Sequence, residues 1–318
     1  MTYFTRASAF APGGIGNVGP GLDVLGAAVA GAGDTVVAEW CDTPGITIRA
    51  TGHPDLPTDA RRHTSGVAAR AVVRAATSLG VTAPAGGIAL SVTKGLPLSG
   101  GQGGSAASAV AGAAATNALL GSPLDTPALL AACLEAEEMV AGRHLDNIAP
   151  SLLGGIVLVR SIDPIDVVSL PVPPALRVVM AHPNQRLRTA DARAVLPRDI
   201  PRAVVIHQLA QVSAMVAALY TGNLPLLGRA LDDRIAEPAR ARLLPGFLEA
   251  KAAALAAGAL GGSISGAGPT AFALCDGASV AARVADAMRA AYAGAGLTAH
   301  VRVAEIDTAG TRVEHHTS

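Results

Sequence analysis

Apolar positions along this 318-residue chain change period several times, and the changes outline alternating strands and helices. Residues 34–40 and 45–50 are short β-branched runs bounded by turn formers, which predicts strands. Residues 66–79 space Val and Ala at helical intervals, with arginines on another face. Residues 87–93 alternate and predict a strand. Residues 126–141 predict a helix, with Thr126 as its N-cap and Pro127 at the first helical position. A strand is expected again at 155–160. Asp163-Pro164 and the prolines from Pro171 to Pro174 then punctuate the chain, so a division is expected there, giving units 1–165 and 166–318. The second half repeats the alternation, with strands at 175–181, 270–275 and 299–306. Its helices are expected over 204–220, 224–232, 247–257 and 278–293. Neighbouring strands look like hairpin pairs without crossovers, which favours an α+β fold over a doubly wound sheet.

Composition narrows the class. Acidic and basic residues number 24 each, so no global field points to nucleic acid or an anionic membrane. Hydrophobic residues make up 50 % of the chain but aromatics only 3 %, so the core is expected to be built from Ala, Val and Leu. Lys94 and Lys251 are the only lysines, and arginine supplies the remaining positive charge. Cys41, Cys133 and Cys275 lie far apart, which argues against a disulfide framework or zinc site and fits a reducing cytoplasm. The N-terminus lacks the basic start and apolar run of a signal peptide. Residues 95–124 carry no charge, yet Gly, Ala, Ser, Thr, Asn and Gln dominate them. A buried helix in a soluble protein is expected there rather than a membrane span.

The candidate chemistry concentrates in Pro97-Leu-Ser-Gly-Gly-Gln-Gly-Gly-Ser-Ala-Ala-Ser108, a glycine-rich loop running into a helix of small residues. Glycines let backbone N–H groups turn inward on a ligand, and the helix start adds free donors and the positive end of a dipole. Together these make an anion cradle, with phosphate the usual occupant. The Walker pattern is absent, so this is a phosphate loop of another kind. Gly14-Ile-Gly16-Asn-Val-Gly19 satisfies the dinucleotide fingerprint, but Pro20-Gly21 follows where a helix should start. Ser91-Val-Thr-Lys94 matches a penicillin-binding motif, but on an alternating segment rather than at a helix start. Gly261-Gly-Ser-Ile-Ser-Gly-Ala-Gly-Pro269 reads equally as a structural turn or a ligand loop. His144-Leu-Asp-Asn147, considered by itself, reads as a polar loop, and Glu135, Glu137 and Glu138 as a solvated helix face. Asn17 and Asp23 flank a turn, and Arg193 and Arg240 are two of many arginines.

Taken in order along the chain, these segments resemble the small-metabolite kinase superfamily of galactokinase, homoserine kinase, mevalonate kinase and phosphomevalonate kinase. The homoserine kinases are the nearest likeness. Residues 11–26 resemble the first motif, 96–108 the phosphate loop, and 262–270 the third motif. His144–Gly155, Ala190–Pro197, Ala236–Gly246 and Asp307–Gly310 resemble segments peculiar to homoserine kinases. The likeness implies two α+β lobes: an N-terminal ATP-binding lobe and a C-terminal ferredoxin-like lobe, with the site between them. It also implies ATP and Mg²⁺ as cofactors, L-homoserine as substrate, a homodimer, and a place in threonine biosynthesis.

By motif position, Lys94, Pro97, Leu98, Ser99, Gly100, Gly101, Gln102, Gly103, Gly104, Ser105, Ala106 and Ala107 would bind ATP. Ser105 and Glu137 would partner Mg²⁺, with Glu135 the alternative, because the stretch before His144 is one residue shorter than usual. Asn17, Asp23, His144, Arg193 and Arg240 would hold the substrate: planar guanidiniums suit a carboxylate, and Asp23 suits an ammonium. Asp146 and Asn147 are the catalytic candidates, since phosphoryl transfer depends mainly on positioning and charge neutralisation. Gly262, Ser265, Gly266, Gly268 and Thr270 carry the third motif. The chain departs from the pattern at Gly104, where a second serine is usual, and at Gln102, Gly13–Gly16 and Leu22. These departures leave open a kinase of another small alcohol, or a non-catalytic relative.

Overall fold

A computed structural model describes residues 4–81 and 85–316. The chain opens with β1 (Arg6–Gly16) and β2 (Leu25–Cys41), a long antiparallel pair, followed by β3 (Gly45–Ala50), α1 (Thr64–Ser78) and β4 (Gly87–Thr93). Next come α2 (Gly104–Leu119), α3 (Thr126–Val140), α4 (Ile148–Leu153), β5 (Ile156–Ile162) and β6 (Ile165–Leu170). These strands form one sheet, in the order β1-β2-β4-β3 with β5 and β6 branching from β2. The final strand, β11 (Arg312–His316), adds beside β1. One expectation is corrected here: β3 and β4 run parallel, joined by the α1 crossover.

The second sheet holds β7 (Leu176–Pro183), β8 (Gly261–Ile264), β9 (Ala271–Asp276) and β10 (Ala299–Ala304), all antiparallel. Its order β10-β7-β9-β8 is the ferredoxin-like 4-1-3-2 arrangement. Around it lie α5 (Thr189–Ala194), α6 (Arg202–Thr221), α7 (Leu224–Arg229), α8 (Ala236–Ala241), α9 (Phe247–Ala256) and α10 (Ala278–Gly294). The sheets divide between Leu170 and Leu176, because β6 pairs with β5, and the chain end returns to the first sheet through β11.

Side-chain size explains the N-terminal lobe. Every residue of α2 from Ala106 to Leu119 is buried, and most are Ala. A helix apolar on all sides is a core helix, and small side chains let α1, α3 and the sheet close around it. The helix within the uncharged stretch is therefore interior, as expected. A second cluster lies between the lobes, joining Ile15 and Leu25 to Met180, Met215 and Phe272, and a third fills the space under α9 and α10. Local signals read well where a cap or alternation was present: β4 has the expected limits, and α3 begins at Thr126. The α3 cap is Asp125, not Thr126; its carboxylate accepts from Ala128 N–H at 3.0 Å. The three cysteines are free thiols.

Candidate active site

A cleft of about 630 Å³ opens between the lobes. One wall is the phosphate loop. Gly103 has a left-handed backbone (φ +68°) and forms the α2 N-cap without any side-chain hydrogen bond to the helix. The first-turn N–H groups thus belong to the cleft, where Gly104 and Ser105 lie. Gly101 (φ +73°) is required by a close approach: a Cβ there would lie 2.6 Å from Ser265 O and 2.7 Å from Gly268 O.

The third motif braces this loop from behind. Ser265 Oγ donates to Gly101 O (2.6 Å) and Thr270 Oγ1 to Gly100 O (2.5 Å). Thr270 Oγ1 also accepts from Gln102 Nε2 at 3.3 Å. Gly14 N–H donates to Gln102 O (3.1 Å), and Gly266 N–H to Gly16 O (2.9 Å), so all three glycine segments are laced together. The expected loop residues from Pro97 to Ser105, apart from Gln102, line the cleft, as do Lys94, Gly266 and Gly268. Gln102, Ala106, Ala107, Gly262, Ser265 and Thr270 lie behind its wall.

The acidic groups come from α3 and the turn before α4. On α3, Cys133, Ala136 and Glu137 face inward while Glu135 and Glu138 face solvent. Glu135 pairs with Arg74 on α1, so Glu137 is the residue at the cleft; it accepts from Ser105 Oγ at 3.3 Å. Burial, reinforced by the charge of Asp146, pushes the Glu137 carboxyl up to about 7. Asp146 is also buried and reaches about 7, chiefly through desolvation and then through Asp23. Its Oδ2 accepts from Asn17 N–H (3.0 Å) and Asn147 Nδ2 (3.4 Å). Gly16 makes room for this pair: a Cβ there would lie 2.4 Å from Asn147 Nδ2 and 2.6 Å from Asp146 Oδ2. Among the described residues, no group of three or more His, Cys, Asp or Glu side chains forms a protein-only metal site.

The opposite end is built on the β1–β2 turn. Asn17 and Asp23 both have positive φ, +56° and +60°, a conformation that Asn and Asp tolerate best among non-glycine residues. Asn17 Oδ1 accepts from Asp23 N–H at 2.8 Å, which fixes the turn. Asp23 then receives Arg193 in a two-point pair (2.9 and 3.3 Å) and lies 3.2 Å from His144 Nδ1. Burial lowers the His144 pKa, with Asp23 and Arg193 acting in opposite directions. Arg193 Nε is buried with no partner among the described residues. Arg240, 2 % exposed, donates Nε to Ala192 O (3.2 Å) and Nη1 to Gly266 O (2.9 Å). All five expected substrate residues except Asp23 line the cleft directly, and Asp23 holds two of them.

Sequence reasoning missed Asp34, which lies beneath the phosphate loop, and Asp233, which accepts N–H groups at the start of α8, the helix that carries Arg240. Asp233 accepts from Ile235, Ala236 and Glu237 N–H groups at 2.8 to 3.2 Å. Asp34 carried one available signal, a carboxylate within an apolar strand run. The dinucleotide reading of Gly14–Gly19 ends here, because β1 leads into a turn and no helix.

Comparison with known proteins agrees with this geometry. Residues 66–155 match the GHMP kinases N terminal domain, and residues 215–294 match GHMP kinases C terminal. A homoserine kinase of Chlorobium phaeobacteroides is 42 % identical over 292 residues, spanning 89 % of this chain and 91 % of its own length. The chain belongs to the GHMP kinase family. A homoserine kinase of Chlorobaculum tepidum is 40 % identical across 97 % of this chain and 98 % of its own. The crystal structure of homoserine kinase from Cytophaga hutchinsonii superposes with a TM-score of 0.92 at 40 % identity, covering 99 % of both chains. Within the GHMP kinases, the similarity is thus to homoserine kinases over the full two-lobed fold.

Proposed function

We propose that this chain transfers the γ-phosphoryl group of ATP to the side-chain hydroxyl of L-homoserine, giving ADP and O-phospho-L-homoserine for threonine biosynthesis. The observation that carries this reading is the pairing of two ends in one cleft. One end offers an uncapped helix N-terminus with Ser105 and Glu137; the other offers Arg193 and Arg240, with Asp23 paired to Arg193 at the cleft edge. The α2 first turn and the glycine loop bind the triphosphate. Arg240 Nη2 and Arg193 Nε, which make no hydrogen bond among the described residues, take the amino-acid carboxylate. Asp23 takes the ammonium. Asn147, wedged between Gly16 and Gly103, orients the acceptor hydroxyl. Asp146, with a carboxyl near neutrality, is the group suited to hold the hydroxyl proton.

Mg²⁺ fits the donor set. Ser105 Oγ and the Glu137 carboxylate are hard oxygen ligands, and buried carboxylates held near 7 mark negative charge that wants a cation. Mg²⁺ is commonly held by one or two such groups while phosphates and water complete its shell. When bound, the ion would neutralise charge on the phosphates.

A cytoplasmic homodimer that engages neither nucleic acid nor membrane belongs to the same reading. Balanced charge and three free thiols support the first parts. The α6 helix is the one described helix long and apolar enough to cross a membrane, yet Met215, Ala218 and Leu219 anchor it in the apolar cluster between the lobes. Its outer stripe of Ile206, Leu209 and Tyr220 supports a subunit contact, which light scattering of the protein and an Ile206→Glu variant would test.

The catalytic test is purified protein with Mg-ATP and a panel of small hydroxy compounds, read as ADP release. Homoserine-dependent turnover lost in Ser105→Ala and Arg240→Ala is expected. Turnover with a different alcohol alone, or nucleotide binding without turnover, would overturn the reading.

A further inference from the structure

Directly beneath the phosphate loop lies a buried charged cluster that the catalytic scheme does not use. Asp34, on β2, is fully buried, and the Lys94 side chain just after β4 is 6 % exposed. They form an ion pair. Lys94 Nζ also donates to Gly104 O (2.9 Å) and Ser108 Oγ (3.0 Å), so its three N–H donors are all engaged inside the protein. Asp34 is equally committed: Oδ1 accepts from Gly95 N–H (3.1 Å), and Oδ2 accepts from Ser108 Oγ (2.6 Å).

The connections matter because of where they attach. Gly95 is where the chain enters the loop and Gly104 is where it leaves into α2. Asp34 grips the entry, Lys94 grips the exit, and Ser108 bridges the two charges one turn further along the helix. The loop between them contains five glycines, at 95, 100, 101, 103 and 104 counting its ends, so its backbone has little stiffness of its own. Motif position suggests Lys94 as a direct phosphate ligand. A saturated ammonium with a fully buried counter-ion is poorly placed for that, since releasing it would strand Asp34 without a partner.

We propose that Asp34, Lys94 and Ser108 are positioning residues, a clamp that holds the two stems of the phosphate loop together so that the α2 amides are pre-aimed at the triphosphate. The proposal rests on the kinase reading only in that the loop receives a nucleotide. A compact ammonium fits the task, because it can meet three acceptors from different directions where a planar guanidinium cannot. That accounts for one of the chain's two lysines standing here among 22 arginines (24 basic residues less two lysines).

The test compares Ser108→Ala, which spares the ion pair, with Asp34→Asn and with the double variant Lys94→Met/Asp34→Asn. Two readouts are taken: amide hydrogen exchange of residues 100–106 in the nucleotide-free protein, and affinity for ADP. The clamp predicts faster exchange at these amides in Ser108→Ala, with about ten-fold weaker ADP binding, the loss expected of one hydrogen bond to a charged group. In Asp34→Asn it predicts weaker ADP binding despite the added positive charge. It also predicts partial recovery in the double variant, where no buried charge is unpaired. If Lys94 instead ligates phosphate, Asp34→Asn frees it and ADP binds as tightly or more tightly, and the double variant recovers nothing. Unchanged exchange in Ser108→Ala would equally overturn the clamp. Should Asp34→Asn fail to fold, Ser108→Ala decides alone. Exchange in the free protein does not depend on the acceptor alcohol, so a failed homoserine assay leaves this result standing.

Discussion

Replacing Glu137 by Gln should stabilise the free protein while abolishing phosphoryl transfer, and the stabilisation should grow with pH. The Glu137 carboxyl has an ordinary value of 4.5 and is pushed up to about 7 by burial and by Asp146. In the unfolded chain it ionises near 4.5, but in the folded protein ionisation waits until about 7. Below 4.5 both states are protonated and there is no penalty. Between 4.5 and 7 the folded state increasingly holds a proton that the unfolded state has released, and stability falls. Above 7 the full cost is present, up to about 3 kcal/mol. Gln keeps an acceptor for Ser105 Oγ and carries no charge. Thermal unfolding without nucleotide should therefore show a Tm gain of roughly 5 °C at pH 8. Near pH 5 the gain should be small. Glu137→Gln melting no higher than the parent at pH 8, or with the same increment at both pH values, would refute this assignment of buried, uncompensated charge.

Three further outcomes follow from the geometry. A Cβ at Gly104 would lie 3.4 Å from Lys94 Nζ and 3.6 Å from Leu96 Cβ, ordinary contacts, so Gly104→Ser should keep activity and raise stability by about 0.5–1 kcal/mol. A lower Tm would show that the space is not there. Gly16→Ala puts a methyl against Asn147 and Asp146, so kcat should fall by about 100-fold with the circular dichroism spectrum unchanged; an unaltered kcat would remove that pair from the chemistry. Mg-ADP affinity should weaken as pH is lowered from 8 to 6, because Glu137 and Asp146 take up protons near 7. A flat calorimetric profile would count against Glu137 holding the cation.

How far the sequence could be read follows from what drives each element. Strand β4 and helix α3 carry their own signals, alternation in one and an acidic cap with proline in the other. Strand β1 does not, because its Ala, Gly and Pro residues have low strand propensity. It exists by pairing with β2 and β11 on either side, and its glycines admit close approach, as at Gly14, where a Cβ would lie 2.3 Å from Ala27 O. Strand β11 carries a short, mostly polar run with no alternation of its own, and only its pairing with β1 reveals it. Asp163-Pro164 looked like a division between units but turns the β5–β6 hairpin. Of the site, only the glycine loop was legible from its own residues, as an anion cradle; Asn17, His144 and Ser105 were assigned through contiguous motifs that resemble the family's. Arg193 and Arg240 stood out only by resemblance, because α5 and α8 are too short to show a period and each arginine is placed by long-range contacts. Asp34 was hidden because its partners lie 60 and 74 residues away.

The most direct measurement is kcat/KM for phosphoryl transfer to L-homoserine compared with 4-hydroxybutyrate, which lacks the ammonium, and 3-aminopropan-1-ol, which lacks the carboxylate. Formation of the phosphate ester would be followed by ³¹P NMR. Recognition by Asp23, Arg193 and Arg240 predicts efficient transfer to homoserine and losses of at least about 100-fold for each analogue, since each leaves a charged group of the site unpaired. Equal transfer to all three, or none to homoserine, would contradict the account.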